Sequence, residues 1–102
     1  MSRREQIIEL LSLTAKPLDV KQIASALGIK PSEIKIIYED LAHIARSLRG
    51  TSSILLMEPP SCLSCGYTFK DLNKPKRPSK CPKCKSERIS NPRFIIRDKG
   101  SA

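Results

Sequence analysis

Two pairs of cysteines constrain this chain more than any other feature. Cys62 and Cys65 are separated by two residues, as are Cys81 and Cys84, and 15 residues lie between the two pairs. This spacing is typical of a zinc site. Each short pair forms a tight turn that presents two sulfurs, and two such turns complete a tetrahedron around the metal. The sequence therefore predicts one structural zinc ion on these four thiolates.

Other uses of the cysteines were weighed against zinc. Disulfides would need an oxidising compartment, but Glu5 and Glu9 interrupt the N-terminal apolar residues, unlike a signal peptide, so we expect a cytoplasmic protein. A catalytic zinc keeps an open position and often uses histidine, whereas the only histidine, His43, lies far from both pairs in the sequence. Four thiolates also bind iron, and iron therefore stays an alternative metal.

The two cysteine pairs are followed by different kinds of residue. Gly66 follows the first pair and permits a left-handed turn, whereas Lys85 follows the second pair, so we expect a looser turn there. The segment around the cysteines also has few apolar side chains, namely Leu63, Tyr67, Phe69, Leu72 and Ile89. So small a core cannot offset the chain entropy, and the metal is expected to hold the segment folded.

Three helices are predicted before the cysteines. Residues 2–5 and 19–22 fit capping boxes, so helices should run over about 3–13 and from residue 19 to Gly28. The third helix should begin at Pro31, which suits a first helical position, and should reach about Leu48.

Two short apolar runs flank the cysteine segment. Residues 53–57 and 93–97 read as paired strands, and Leu18, after the first helix, is expected to be extended in a very short strand. Small residues at the turn between the second and third helices favour a helix-turn-helix. The predicted fold is α+β: a winged helix-turn-helix of three helices plus a two-stranded wing, formed by residues 1–58 and 93–102, with residues 59–92 inserted at the wing as a zinc ribbon.

The third helix presents two faces. Ile37, Leu41 and Ile44 repeat at core spacing. On the opposite side, side chains that could reach DNA bases are Ser32, Lys35, Ile36, His43 and Arg46. Glu39 and Asp40 are expected to expose an acidic pair on this helix, which would repel phosphates.

Positive charge is concentrated in the second half of the chain. Residues 1–58 hold 8 Lys/Arg against 7 Asp/Glu, whereas residues 59–102 hold 11 against 3. This imbalance favours a polyanionic partner, and double-stranded DNA is the natural one. The candidate phosphate contacts lie on a proline-stiffened loop and are Lys74, Lys76, Arg77 and Lys80. The alternative to a polyanion-binding surface is a solvated basic surface that only keeps the protein soluble.

The chain resembles a family of small, mainly archaeal, predicted transcription regulators with a winged helix-turn-helix and a rubredoxin-like zinc ribbon. The residues that carry the resemblance are 38–41, 47–48, 55–60, 62–69 and 81–86. The resemblance implies a ribbon inserted at the wing and zinc on the four cysteines.

These observations favour a DNA-binding transcription regulator with a structural zinc ribbon. The alternative is a protein-interaction module of the transcription machinery, which the acidic pair and an exposed Ile36 would favour. No paired catalytic groups stand out, so we do not expect an enzyme. No apolar run approaches the roughly 20 residues of a membrane helix, so no membrane partner is expected. The sequence leaves a homodimer open.

Overall fold

The computed structural model describes residues 2–72 and 74–99. Its elements follow in the order α1 (Arg3–Leu13), β1 (Leu18–Asp19), α2 (Val20–Leu27), a 3₁₀ turn (Pro31–Glu33), α3 (Ile34–Ser47), β2 (Ser53–Glu58) and β3 (Arg93–Asp98). The three predicted helices and both predicted strands are therefore confirmed. No helix among the described residues is long and apolar enough to cross a membrane.

The starts of α1 and α2 follow from their caps. The Glu5 N–H donates to the Ser2 hydroxyl at 3.2 Å, but the Glu5 carboxylate accepts from that hydroxyl instead of reaching the Ser2 N–H. The first box is therefore only half formed. In the second, Gln22 N–H donates to Asp19 at 2.8 Å and Asp19 N–H donates to the Gln22 side chain at 3.0 Å, so the box is complete.

The third helix starts later than its sequence predicts. Gly28, at φ 70°, ends α2, and Pro31 then opens a 3₁₀ turn in which Glu33 N–H donates to the Lys30 carbonyl at 2.9 Å. A hydrogen bond between residues three positions apart is characteristic of a 3₁₀ turn, which is wound more tightly than an α-helix. The α-helix itself begins at Ile34.

The main core lies between the three helices and one face of the sheet. Its buried residues are Ile7 and Leu11 of α1, Val20, Ile23 and Ala24 of α2, Ile37, Leu41 and Ile44 of α3, and Phe94 and Ile96 of β3. Tyr38 packs edge-on against Phe94 with ring centroids 6.5 Å apart. The predicted apolar stripe of α3 is therefore confirmed.

The sheet has three strands: the two predicted as a pair, and the very short strand expected at Leu18, whose pairing was not predicted. Its order is β1-β3-β2, all antiparallel, and β3 pairs with β2 from Ser53↔Asp98 to Glu58↔Arg93. The additional strand pairs Leu18 with Phe94 and Asp19 with Arg93. It is only two residues long, and so short a pairing has no periodicity by which a sequence could reveal it.

The prediction that Asp40 is exposed beside Glu39 is wrong. Asp40 is 1% exposed, and its carboxylate accepts from the guanidinium groups of Arg3 and Arg4 in α1. Burial raises the pKa of Asp40, but these hydrogen bonds outweigh burial and hold the pKa below its usual value. Asp40 therefore ties α3 to α1 and leaves Glu39 as the exposed carboxylate of the pair.

The segment between β2 and β3 has a small core of its own. Cys62, Cys81 and Ile89 are buried together, and Tyr67 and Phe69 pack against them, edge-on to each other at 5.1 Å. Isolated bridges join Ser61 to Thr68 and Cys62 to Ile89. This separate core makes the segment a ribbon that extends the end of the β2–β3 pair.

Candidate metal centre and basic groove

The four cysteines converge at one end of the ribbon. Their sulfurs all lie within 4.8 Å of one another, with Cys62 3.5 Å from Cys84 and Cys65 3.6 Å from Cys81. A tetrahedron with Zn–S bonds of about 2.3 Å has edges of about 3.8 Å, which these separations approach. A disulfide needs about 2.05 Å, so the cysteines are free thiols in position to ligate a metal.

Both cysteine pairs turn in the same way. Gly66 N–H donates to the Cys62 carbonyl at 2.9 Å, and Lys85 N–H donates to the Cys81 carbonyl at 2.9 Å. Lys85 reaches this geometry with φ 65°, close to the 81° of Gly66. The expectation of a looser second turn is therefore wrong, because the metal geometry requires the same turn and Lys85 adopts the left-handed conformation that makes it.

The charges of the thiols also suit a cation. The backbone N–H of Cys65 outweighs burial and lowers the pKa of Cys62 to about 6. The backbone N–H of Ser86 lowers the pKa of Cys84, but the contacts with the other three cysteines, Cys62 foremost, and burial together outweigh this and raise the pKa to about 12. The second thiolate thus meets the repulsion of the first, and a divalent cation between them removes that repulsion.

Hydrogen bonds join the two cysteine turns to each other and to the rest of the protein. The hydroxyls of Ser64 and Ser86 lie 2.9 Å apart across the metal centre. At the base of the ribbon, Ser61 N–H donates to the Ser90 hydroxyl and Ser90 N–H donates to the Ser61 carbonyl, both at 2.8 Å. These bonds continue the β2–β3 pairing into the ribbon and fix where the ribbon begins.

A basic groove separates α3 from the loop of residues 74–77. It has a volume of about 730 Å³ and is lined by Lys35, Tyr38, Glu39, Ala42, Ala45, Arg46, Arg49, Lys74, Pro75, Lys76 and Arg77. Among these residues are six cationic side chains and a single carboxylate. We call this feature the basic groove; its walls are one flank of α3 and the ribbon loop.

The groove brings together five of the nine residues predicted to contact DNA. Lys35 and Arg46 lie on its helix wall, and Lys74, Lys76 and Arg77 lie on its loop wall. Arg49, which also lines the groove, is not among the predicted contacts. It lies just beyond the end of α3, and its N–H donates to the Arg46 carbonyl at 3.2 Å, so its closeness to Arg46 in the sequence is the signal that could have found it.

Arg77 also holds the loop in place. Its guanidinium donates to the Ile89 carbonyl at 2.9 Å and to the Glu87 carbonyl at 3.5 Å. Two of its donors are therefore directed at the ribbon backbone. Arg77 therefore anchors the loop wall. The other two cations of that wall, Lys74 and Lys76, do not hold the loop to the ribbon in this way.

The other four predicted contacts lie outside the groove. Ser32 and His43 are exposed and Ile36 is half-buried, and all three belong to the other flank of α3 or its first turn. At 100° per residue, Ile36 and His43 lie roughly 60–80° around the helix from Arg46. Lys80 is exposed next to Cys81 and does not line the groove. The predicted DNA contacts thus form two groups instead of one surface.

Comparisons with known proteins agree with this architecture. The family model described as PF0610-like, N-terminal matches residues 2–56, and the model described as PF0610 rubredoxin-like zinc beta-ribbon domain matches residues 59–99. A comparison with curated proteins gave no match. The chain is also similar to the solution NMR structure of protein PF0610 from Pyrococcus furiosus, with 39% identity and a TM-score of 0.75 over 95% of this chain and 90% of that one.

The ribbon match and the four converging sulfurs together establish one structural zinc ion on Cys62, Cys65, Cys81 and Cys84. The rubredoxin-like ribbon in the predicted resemblance is confirmed. Because the N-terminal model covers more than half of the chain and the ribbon model covers most of the remainder, the protein belongs to the PF0610-like family, with a rubredoxin-like zinc ribbon.

Proposed function

We propose that this protein is a DNA-binding transcription regulator that contacts the duplex mainly through the basic groove. The observation that carries the proposal is the convergence of six cations, against one carboxylate, from two elements far apart in sequence. Charge that is merely scattered over a surface has no reason to converge in this way. A groove with cations on both walls suits a phosphate backbone, whose neutralisation releases counterions and drives binding.

The helix wall has the length for such a contact. Lys35 and Arg46 lie 11 positions apart on α3, which corresponds to about 16–17 Å along a helix axis, and Arg49 follows just beyond the end of the helix. Each strand of a duplex carries a phosphate roughly every 3.4 Å of axis, so this wall could pass several phosphates. Lys74 and Lys76 would hold the backbone from the opposite side.

Base reading would fall to the other flank of α3. The three helices and the antiparallel sheet support a winged helix-turn-helix interpretation, in which α3 is the reading helix and the ribbon replaces a simple wing. Ser32, Ile36 and His43 lie away from the groove, where they could reach base edges. Burial of Asp40 against Arg3 and Arg4 favours DNA binding, because it removes one of the two expected phosphate-repelling charges.

The alternative, a protein-interaction module of the transcription machinery, loses both of the features of α3 that favoured it. Asp40 is neutralised by two arginines and Ile36 is half-buried, so α3 lacks the acidic patch and the exposed isoleucine that favoured it. The remaining support lies elsewhere, in the exposed side chains of Ile54 and Leu56 on β2.

The test is fluorescence anisotropy of a labelled mixed-sequence duplex with zinc-loaded protein at several salt concentrations. Replacing Lys74 and Lys76 by Ala, or Arg46 and Arg49 by Ala, should weaken binding and lower the salt slope by about 1 per lost phosphate contact. The matched control replaces Lys16 and Lys70, two exposed lysines outside the groove, by Ala.

The control removes the same charge, so it separates the groove from net charge. Equal losses in all three double variants would show that total charge alone attracts DNA. Absence of binding at low salt would overturn the proposal.

A further inference from the structure

The edge of the sheet formed by β2 stands open. In the order β1-β3-β2, the two outer strands are β1, with two residues, and β2, with six. Within the described part of the chain, no strand pairs with the outer edge of β2. Proteins usually block such an edge with lysine, proline or a bulge. Residues 53–57 contain none of the charged or proline residues that would do so.

The outward face of β2 is apolar. Its residues alternate in exposure, with Ile54 40% and Leu56 44% exposed. Across the ladder, Leu56 is paired with Ile95, which is half-buried on the same face. Ile54, Leu56 and Ile95 therefore form an apolar strip that ends at the open edge. Arg97, paired with Ile54, and Glu58, paired with Arg93, bound the strip at its two ends.

The backbone at this edge is oriented for pairing. The Ser53 N–H donates to the Thr51 hydroxyl at 3.2 Å, and that hydroxyl, which donates to the Leu48 carbonyl at 2.6 Å, also lies 3.2 Å from the Ser53 carbonyl. The polar groups of Ser53 are therefore directed away from β3, and pairing with another strand would replace their contact with Thr51. Because these directions alternate along an antiparallel strand, Leu55 and Met57 should also direct their N–H and carbonyl groups outward.

From this geometry we propose that β2 pairs antiparallel with β2 of a second copy of this chain, about a two-fold axis at Leu55. Opposed residues in an antiparallel pair share a face, so Leu55 meets Leu55 of the partner subunit and Ile54 meets the partner's Leu56. The two sheets become one sheet of six strands. Its outer face gains a continuous apolar strip from Ile54, Leu56 and Ile95 of both copies.

The charges at the two ends of β2 favour a second copy in this orientation. Glu58 is the only charged residue of β2 and lies at its C-terminal end, where it is paired across the ladder with Arg93 of its own chain. At the other end, Lys99 N–H donates to the Ser52 carbonyl at 2.6 Å, so Lys99 stands beside the start of β2. Antiparallel pairing places each Glu58 opposite Ser52 of the partner subunit and near the partner's Lys99, twice per dimer. Parallel pairing would put the two glutamates side by side.

The first test measures the mass of the zinc-loaded protein by sedimentation over a range of concentrations. The wild type should reach twice the 11.4 kDa of one chain as concentration rises. Leu56→Lys should shift the protein to the monomer, because lysine blocks an edge strand. The matched control is Leu13→Lys, which adds the same charge at an apolar side chain 77% exposed on α1 and should leave the dimer intact.

The second test uses the charged ends. Glu58→Lys and Lys99→Glu should each weaken the dimer, by about 3- to 10-fold, because each contact occurs twice. The double variant restores opposite charges between the two copies and should bind more tightly than either single variant, although residue 58 then opposes Arg93 of its own chain. A merely structural role of either residue would not produce that recovery. A wild type that stays monomeric at several hundred micromolar overturns the proposal. Dissociation by Leu13→Lys but not by Leu56→Lys would overturn it as well.

Discussion

Lys85 holds a backbone conformation that is unfavourable for a side chain with a Cβ atom. Its φ of 65° lies in the left-handed region, where glycine at the equivalent position of the other cysteine turn has 81°. A non-glycine residue there costs about 1 kcal/mol or more. The turn nevertheless keeps its 2.9 Å hydrogen bond from Lys85 to Cys81, so zinc ligation and the surrounding bonds stabilise a locally strained residue.

Lys85→Gly should therefore stabilise the ribbon by about 0.5–1 kcal/mol, the relief of strain less the greater chain entropy of glycine. The measurement is competition for zinc with a chelator, together with the thermal midpoint of the ribbon. Lys83→Gly removes the same charge from the same turn, but Lys83 lacks a positive φ, so it should destabilise the ribbon. Two variants with the same sign would contradict the strain argument.

Asp40 gives the helices a pH-dependent contact. Its native pKa is below the value of about 3.9 expected in the unfolded chain, so the ion pairs with Arg3 and Arg4 stabilise the fold above that value. Their contribution falls as pH drops through the native pKa. Asp40→Asn should cost about 1–3 kcal/mol near pH 7, because it weakens hydrogen bonds to charged donors.

The same substitution should matter progressively less below about pH 4, where the carboxyl of the unfolded chain takes up a proton that the native carboxyl still resists, and least below the native pKa, where both are protonated. Urea unfolding followed by helical circular dichroism, for both proteins from pH 3 to 7, checks this. Glu39→Gln is the control, because the carboxylate of Glu39 is next to Asp40 in the sequence but is exposed to solvent. A wild-type advantage over Asp40→Asn that stays constant down to pH 3 would contradict the assignment.

At the scale of elements, local signals predicted most of the helices and strands. The complete capping box at Asp19 and the glycine at residue 28 fix α2 at both ends, because each acts through neighbours in the sequence. The position of Asp40 could not be predicted in this way. Whether it faces solvent or is buried depends on where α1 places Arg3 and Arg4, and no periodicity within α3 carries that information.

The ribbon and the helices have separate cores, and this separation predicts what zinc removal does. The ribbon core consists of Cys62, Cys81 and Ile89 with two aromatic rings, whereas the helical core contains ten other buried residues. Chelation at neutral pH should therefore unfold residues 59–92 and leave the helical circular dichroism largely intact. Amide exchange would report the ribbon, as would the fluorescence of Tyr67 in a Tyr38→Phe background, since Tyr38 belongs to the main core. Complete loss of helix on chelation would show that the two cores fold as one.

For the whole molecule, the basic groove depends on how the ribbon is placed against α3. The sequence indicated both basic walls, but only the structure brings Lys74 and Lys76 opposite Arg46 and Arg49. That placement rests on bonds between residues distant in sequence, among them the one from Arg77 to the Ile89 carbonyl at 2.9 Å. Composition could suggest a polyanionic partner but could not separate the groove residues from Lys80, which lies outside it.

The groove also links DNA binding to zinc, if the proposed function is right. The loop wall is held by Arg77 against Ile89, which packs with the cysteine core, so loss of zinc should release that wall while the helix wall stays. Chelation should then weaken DNA binding about as much as replacing Lys74 and Lys76 by Ala, and added zinc should restore it. Anisotropy titrations of the wild type and of the Lys74→Ala and Lys76→Ala double variant, each with and without chelator, form a thermodynamic cycle analogous to a double-mutant cycle.

The cycle gives a sharp expectation, because both changes remove the same contact. In the Lys74→Ala and Lys76→Ala double variant, chelation should cause little further loss, since the loop wall no longer contributes. Losses that add fully would mean that zinc acts on DNA binding through another part of the molecule. In the Arg46→Ala and Arg49→Ala double variant, chelation should still weaken DNA binding by the full amount. That variant removes only cations on the helix side of the groove and leaves the loop wall unchanged.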